Sequence, residues 1–187
     1  MSRKTKMILG IILLSIALLV CLYPVISNFT AVKYQSIVQT RYEKAVSNMD
    51  DTELKKAKEA ALAYNRTLIP GVADNLSFSE EALKSAAENY ENLLNIRGDG
   101  IMGYVDIPKI DVSLPIYHGT GDDSLDWGVG HLLGSSLPVG GETSHTVLTA
   151  HSGLAGQRLF SDLDKLECGD TFYVHTLDET MAYMVLE

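Results

Sequence analysis

The most informative segment of this chain reads Thr143-Ser144-His145-Thr146-Val147-Leu148-Thr149-Ala150-His151-Ser152-Gly153-Leu154. Residues 146–150 are few, mostly apolar or β-branched, and this pattern predicts a buried strand. His151 closes the strand, and a turn containing glycine follows at once. Because a scaffold holds a residue at the end of a core strand rigidly, His151 is a candidate general acid or base. The alternative is a histidine that only packs or faces solvent.

The sequence on both sides of this stretch, from Gly98 to Glu187, has a β pattern. It predicts further strands at 102–107, 112–117, 128–132, 171–176 and 180–187, with Asp178-Glu179 as the last hairpin turn. A helical turn is predicted at 122–127. A short helix is predicted at 157–166, with Leu159, Phe160, Leu163 and Leu166 facing inward. Many short strands separated by turn signals predict a closed barrel or a sandwich.

The N-terminal region begins with a membrane-spanning pattern. Residues 7–30 carry no charge, follow Arg3, Lys4 and Lys6, and are long enough to cross a bilayer. Basic residues remain in the cytoplasm, so residues 1–32 are predicted to be a cytoplasmic tip and a single-pass signal anchor with an extracytoplasmic body. A cleaved signal peptide is the alternative, although no clear small-x-small cleavage site follows the apolar run.

Residues 33–97 are predicted to be helical, as a stalk or as a hairpin packed on the domain formed by 98–187. A first helix covers 33–48. Asp50 begins a second helix with Glu53 as its capping-box partner, and Leu54, Ala57, Ala61 and Tyr64 form its apolar stripe. Ser79 is the predicted N-cap of a third helix, whose inner face is Leu83, Ala86, Tyr90 and Leu94.

Charge and cysteine content exclude some classes of function. The chain has 187 residues and a net charge of −9, and the part after the apolar run, with 12 basic and 24 acidic residues, carries −12. Such an acidic body argues against nucleic-acid binding and is typical of a solvated surface, or of one facing a basic partner. The two cysteines, Cys21 in the apolar run and Cys168 far from it, are not expected to form a disulfide.

Several motifs, in this order and spacing, resemble those of a sortase, and most of all a class C, pilin-polymerising sortase. The motifs are Gly103-Tyr-Val-Asp-Ile-Pro-Lys-Ile-Asp-Val-Ser-Leu-Pro-Ile-Tyr-His118-Gly, Gly128-Val-Gly-His131-Leu, Ser136-Leu-Pro-Val-Gly-Gly-Glu142, Leu148-Thr-Ala-His151-Ser-Gly-Leu154, Leu159-Phe-Ser-Asp-Leu-Asp-Lys-Leu166 and Gly169-Asp-Thr-Phe-Tyr173. The resemblance covers roughly residues 65–187 and implies a sortase-like closed β-barrel. It implies that His151 is the catalytic histidine. The following residue is often arginine in this class and is Ser152 here.

The resemblance also implies a chemistry. In sortases a cysteine thiolate attacks a Leu-Pro-x-Thr-Gly-like signal, and an amine resolves the thioacyl enzyme; in class C this amine is a lysine of the next pilin subunit. The family's cysteine and arginine lie on strands that would follow Glu187. The sequence is therefore interpreted as the N-terminal part of a sortase, with an incomplete barrel that is inactive and poorly stable on its own. An in-frame continuation of the gene with Thr-Leu-x-Thr-Cys and a later Arg would support this.

Two other functions remain open on the same residues: a housekeeping sortase that attaches surface proteins to the cell wall, and a non-catalytic sortase remnant. The helical N-terminal region favours class C. In that class a loop, here near 72–79, forms a lid whose aromatic residue plugs the active site. Phe78 matches the aromatic, whereas the Asp and Pro of the lid motif are absent, so an ordinary connecting loop is the alternative.

The remaining candidate residues are given structural roles. Cys168 lies between acids in Leu166-Glu-Cys-Gly-Asp170, a context that disfavours a thiolate nucleophile. His118 and His131 are expected to pack, His145 to be solvated, and His175 to be structural with no acid nearby. No cofactor and no metal are expected, because no cluster has metal-ligand spacing and the acidic run at 122–126 lacks a calcium-loop pattern.

Overall fold

A computed structural model describes residues 2–68, 88–154 and 156–186. Its centre is one six-stranded sheet, curled into a half-barrel, with the strand order β4-β3-β2-β1-β5-β6. The strands are β1 (Ile101–Ile107), β2 (Val112–His118), β3 (Val129–His131), β4 (Leu148–Thr149), β5 (Thr171–Thr176) and β6 (Glu179–Met184). Only β2 and β3 pair in parallel; the other neighbours are antiparallel. The predicted barrel is thus an open sheet, with β4 and β6 at its two edges.

Among the described residues, the helices with both ends described are α1 (Arg3–Ser47), α2 (Asp51–Thr67) and the single turn α3 (Asp122–Leu125). α1 runs unbroken through the apolar segment and the predicted first helix, and it is long and apolar enough to cross a membrane. Its buried residues all lie in the C-terminal third, at Gln35, Val38, Tyr42 and Val46. One end of the helix therefore packs on the protein, and the other is exposed.

α2 begins as predicted. The Asp50 carboxylate accepts hydrogen bonds from the N–H groups of Thr52 and Glu53, and the Glu53 side chain accepts from the N–H of Asp50. The stripe on this helix packs against the core, and its residues Ala61 and Tyr64 are buried. These contacts select the packed hairpin over the stalk.

Side-chain hydrogen bonds fix both helices to the sheet domain. The Tyr42 hydroxyl of α1 donates to the carbonyl of Met102 at 3.0 Å and accepts from the N–H of Leu177 at 2.8 Å. Desolvation raises the pKa of this buried hydroxyl to about 12. In the last turn of α2, the Asn65 side-chain amide pairs with both backbone groups of Leu137. These bonds satisfy buried backbone groups of the sheet domain that would otherwise lack partners.

Three expectations about local structure need correction. The prediction of a helix at 157–166 is wrong. This segment is a series of turns with one 3₁₀ turn, Leu163–Lys165, and Leu159 has a positive φ of 34°. Leu159 is buried, but Leu163 is exposed, because turns do not keep a single inner face. The strand predicted at 146–150 is only two residues long. The last hairpin turns at Leu177-Asp178, one residue earlier than predicted.

The expected third helix lies mostly outside the described residues, which resume at residue 88. Of its predicted inner face, Tyr90 and Leu94 are buried as expected. The division of the chain after residues 32 and 97 stays a prediction.

Candidate active site

His151 lies at the end of edge strand β4, at the root of a loop. Its side chain is 38% exposed, and Nε2 is 3.9 Å from Oδ1 of Asp126, which follows α3. The N–H of Phe160 donates to the carbonyl of His151 at 3.1 Å, so the loop between these residues is closed at its base. The Gln157 amide donates to the backbone carbonyl of Asp126 at 2.8 Å. The imidazole is thus accessible to a substrate and has a carboxylate within reach.

The backbone before His151 is held by β3 and by the turn after it. β4 pairs with β3 through Gly130–Thr149 and His131–Leu148. The Ser135 hydroxyl accepts a hydrogen bond from the N–H of Val147 at 3.1 Å. Glycine at position 130 allows β3 to approach the backbone at Gly119, since a Cβ there would lie 2.6 Å from the carbonyl oxygen of Gly119. The Gly-Val-Gly-His motif therefore positions the strand that carries His151.

His131 is fully buried and packs, as predicted. The Tyr90 hydroxyl donates to its Nδ1 at 2.8 Å. Its Nε2–H donates to the carbonyl of Ser136 at 2.8 Å, because a carbonyl can only accept. Burial lowers the pKa of His131 from 6.5 to about 4, so the ring is neutral at physiological pH. It links β3 to the turn that supports β4 and does not reach the accessible surface.

His118 also packs. Its Nδ1 lies 2.9 Å from the carbonyl oxygen of Gly100, and its Nε2 lies 2.8 Å from that of Leu93. The ring of Tyr90 meets its edge, with centroids 4.9 Å apart. The imidazole thus ties the segment before β1 to the end of β2. His145, in contrast, is exposed, as predicted.

The expectation that His175 has no acid nearby is wrong. Its Nε2 lies 3.0 Å from Oδ2 of Asp106, and its Nδ1 lies 2.9 Å from the hydroxyl of Thr180. Tyr104 stacks on the ring at a centroid distance of 4.2 Å. Asp106 is 69 residues away in sequence, and only the antiparallel pairing of β1 with β5 places it next to His175. No local signal in the sequence indicates that register.

The two cysteines are free and exposed, and they do not form a disulfide with each other. Cys21 lies in the apolar part of α1. The Cys168 thiol donates to the carbonyl of Leu186, just after β6, at 3.0 Å. His151 follows β4, at the opposite edge of the strand order. The described residues therefore bring neither thiol to His151.

Two further features concern the predicted site. A groove of about 510 Å³ lies beside β4, between apolar side chains of β1, β5 and the turns; its lining includes Val105, Leu148, Phe160, Phe172 and Tyr183. In the described part of the chain, no three His, Cys, Asp or Glu side chains are arranged to hold a metal ion. Phe78 lies outside the described residues, so its role as a lid stays a prediction.

Comparison with known proteins agrees with the motifs. The family model described as the sortase domain matches residues 105–187. The curated sortase A of Streptococcus agalactiae is 25% identical over 145 residues, which are 76% of this chain and 53% of the relative. The sortase A of Listeria monocytogenes is 28% identical over 187 residues, which are all of this chain and 73% of the relative. The chain thus spans about half the length of the first relative and about three quarters of the second.

Solved structures give a closer match. Sortase C of Streptococcus pneumoniae is 44% identical with a TM-score of 0.68, over 80% of this chain and 73% of that one. Sortase C1 of Streptococcus agalactiae is 38% identical with a TM-score of 0.69, over 80% of this chain and 75% of that one. At this identity and coverage, the chain belongs to the sortase family.

Proposed function

We propose that the protein acts as a membrane-anchored cysteine transpeptidase of the pilin-polymerising class. It cleaves a Leu-Pro-x-Thr-Gly-like sorting signal and joins the acyl group to a lysine amine of a pilin subunit. The observation that carries this proposal is the likeness to two sortase C structures, each over 80% of the chain. The sortase C of Streptococcus pneumoniae shows specificity for pilin substrates.

In this proposal His151 is the acid–base group. The cysteine thiolate attacks the carbonyl carbon of the threonine in the signal, and the bond to glycine breaks. His151 gives a proton to the departing amine and later removes one from the attacking lysine amine. Its accessible ring at the end of β4 supports this role, because a proton donor must reach the substrate nitrogen. Neither Cys21 nor Cys168 has a suitable position for the nucleophile, which the resemblance places on a strand beside β4.

The test is peptide cleavage and transfer by the full-length product of the gene. His151→Ala should lower the rate of thioester formation by about 10²–10⁴-fold. Ser152→Arg, at the exposed neighbouring position, is the matched control and should keep activity of the same order. If the His151→Ala variant is as active as the wild type, His151 does not take part in the mechanism. A folded wild-type protein that cleaves no signal peptide would favour the non-catalytic remnant.

A housekeeping sortase is the second candidate, and the matches to two sortases A favour it. The two functions differ in the amine that resolves the thioacyl enzyme. Transfer to a lysine side chain in a pilin peptide would support the proposal. Transfer only to an amine of a cell-wall precursor would support the housekeeping function instead.

The proposed location is the cell membrane, with α1 as a single-pass anchor and the body outside the cytoplasm. The basic residues Arg3, Lys4 and Lys6 precede the apolar run, and such residues remain on the cytoplasmic side. Protease added to intact protoplasts should therefore remove the region after Lys33. Digestion only after lysis would show the opposite orientation.

A further inference from the structure

The loop after His151 lies on α1 at Ser27 and Asn28. We define the His151 loop as residues 152–154 and 156–159. The N–H of Arg158 donates to the side-chain oxygen of Asn28 at 3.2 Å. Gly156 approaches Ser27 so closely that a Cβ on it would lie 2.5 Å from Oγ and 3.2 Å from Cβ of that serine. Glycine at this position therefore permits the contact between loop and helix.

The position of this contact along α1 determines its depth relative to a bilayer. α1 is one continuous helix, so each residue adds about 1.5 Å along its axis. A hydrocarbon layer of about 30 Å is spanned by about 20 residues. Counted from Met7, directly after the last basic residue, this layer ends near Ile26. Ser27 and Asn28 then lie at the outer boundary, and the His151 loop lies there with them.

The composition of the loop suits this position. Its sequence contains one charged residue, Arg158, which is paired with Asp162, although the body as a whole is acidic. Leu154 projects with 42% of its surface exposed. On α1, Val25 and Phe29 are 66% and 69% exposed, and both line a groove of about 900 Å³ together with Arg158 of the loop. An apolar side chain on a loop that contacts α1 at this depth would bury its surface at the boundary between headgroups and acyl chains of a bilayer.

We propose that the His151 loop rests on the outer surface of the bilayer, with Leu154 inserted at the boundary between headgroups and acyl chains. The partner is the lipid surface itself, and the contact holds the root of the loop, His151, close to the membrane. This inference rests on the proposed membrane anchoring by α1. It adds a second contact with the bilayer, made by the sheet domain.

The test uses the full chain in phospholipid nanodiscs, where both faces of the bilayer are open to solvent. In a background with Cys21→Ala and Cys168→Ser, a single cysteine carries an environment-sensitive fluorophore. Leu154→Cys is the test position. Leu163→Cys, a leucine 37% exposed in the 3₁₀ turn after the loop, is the matched control. Ile16→Cys in the middle of the apolar run reports whether α1 is in the bilayer.

The expected result is that nitroxide groups on lipid chains quench the label at Leu154 more than iodide does, with the reverse at Leu163. Gly156→Val should reverse the preference of the Leu154 label, because the larger side chain pushes the loop off Ser27. A Leu154 label as open to iodide as the Leu163 label, with Ile16 in lipid, would overturn the inference alone. A lipid-buried Leu154 label unchanged by Gly156→Val would overturn the docking contact. Iodide quenching at Ile16 would overturn the anchoring itself.

Discussion

Replacement of His131 by glutamine should remove the loss of stability that protonation of this histidine causes between pH 6.5 and pH 4. In the folded protein burial lowers the pKa of His131 to about 4, whereas the ordinary value is 6.5. Below pH 6.5 the unfolded chain binds a proton that the folded protein does not, so stability falls as the pH falls toward 4. At 1.36 kcal/mol for each pH unit, the whole interval corresponds to about 3 kcal/mol. Above pH 7 this contribution does not change.

Urea unfolding of the full chain in detergent, at intervals from pH 8 to pH 4.5, measures this effect. His131→Gln should be less stable at pH 8, because the Tyr90 hydroxyl and the Ser136 carbonyl lose good partners. Its stability should fall less steeply on acidification than that of the wild type. Val129→Ala, a buried substitution on the same strand, is the destabilised control and should keep the wild-type pH dependence. Parallel curves for wild type and His131→Gln would refute a buried neutral His131.

Three further outcomes are expected. Tyr42→Phe should lower the free energy of unfolding by about 1–3 kcal/mol in urea titrations, because two buried backbone groups lose their partner. Gly103→Ala should lower the free energy of unfolding by about 1–3 kcal/mol in the same assay, since the new Cβ would lie 2.3 Å from a backbone carbonyl oxygen of β5. Asp126→Asn should lower kcat/KM by up to about fivefold, because the Asp126 carboxylate, 3.9 Å from Nε2 of His151, would stabilise the protonated ring that donates to the leaving amine by ~0.2–1 kcal/mol. Asp123→Asn should not, and equal effects of the two would refute the pairing.

Local signals in the sequence were sufficient for the main elements. The alternating pattern of residues 102–107 corresponds to β1, and the Asp50–Glu53 capping box begins α2. In both cases the pattern covers one turn of helix or a few residues of strand, so neighbours in sequence determine it. The apolar run of α1 is likewise a pattern that residues close together in sequence determine. The motif around His151 indicated the family, and the placement of this residue at a strand end agrees with the structure.

Tertiary structure decided what depends on contacts between distant segments. The pairing of β1 with β5 places Asp106 beside His175, and this register has no local signature. The segment predicted as a helix at 157–166 forms turns that close on His151 and pack on α1 at Asn28, because these contacts outweigh a weak helical pattern. Burial of His131 likewise depends on Tyr90, which lies 41 residues away in sequence and contacts its Nδ1. Local patterns in the sequence therefore predict most helices and strands, whereas packing between distant segments determines which side chains meet and how residues 157–166 fold.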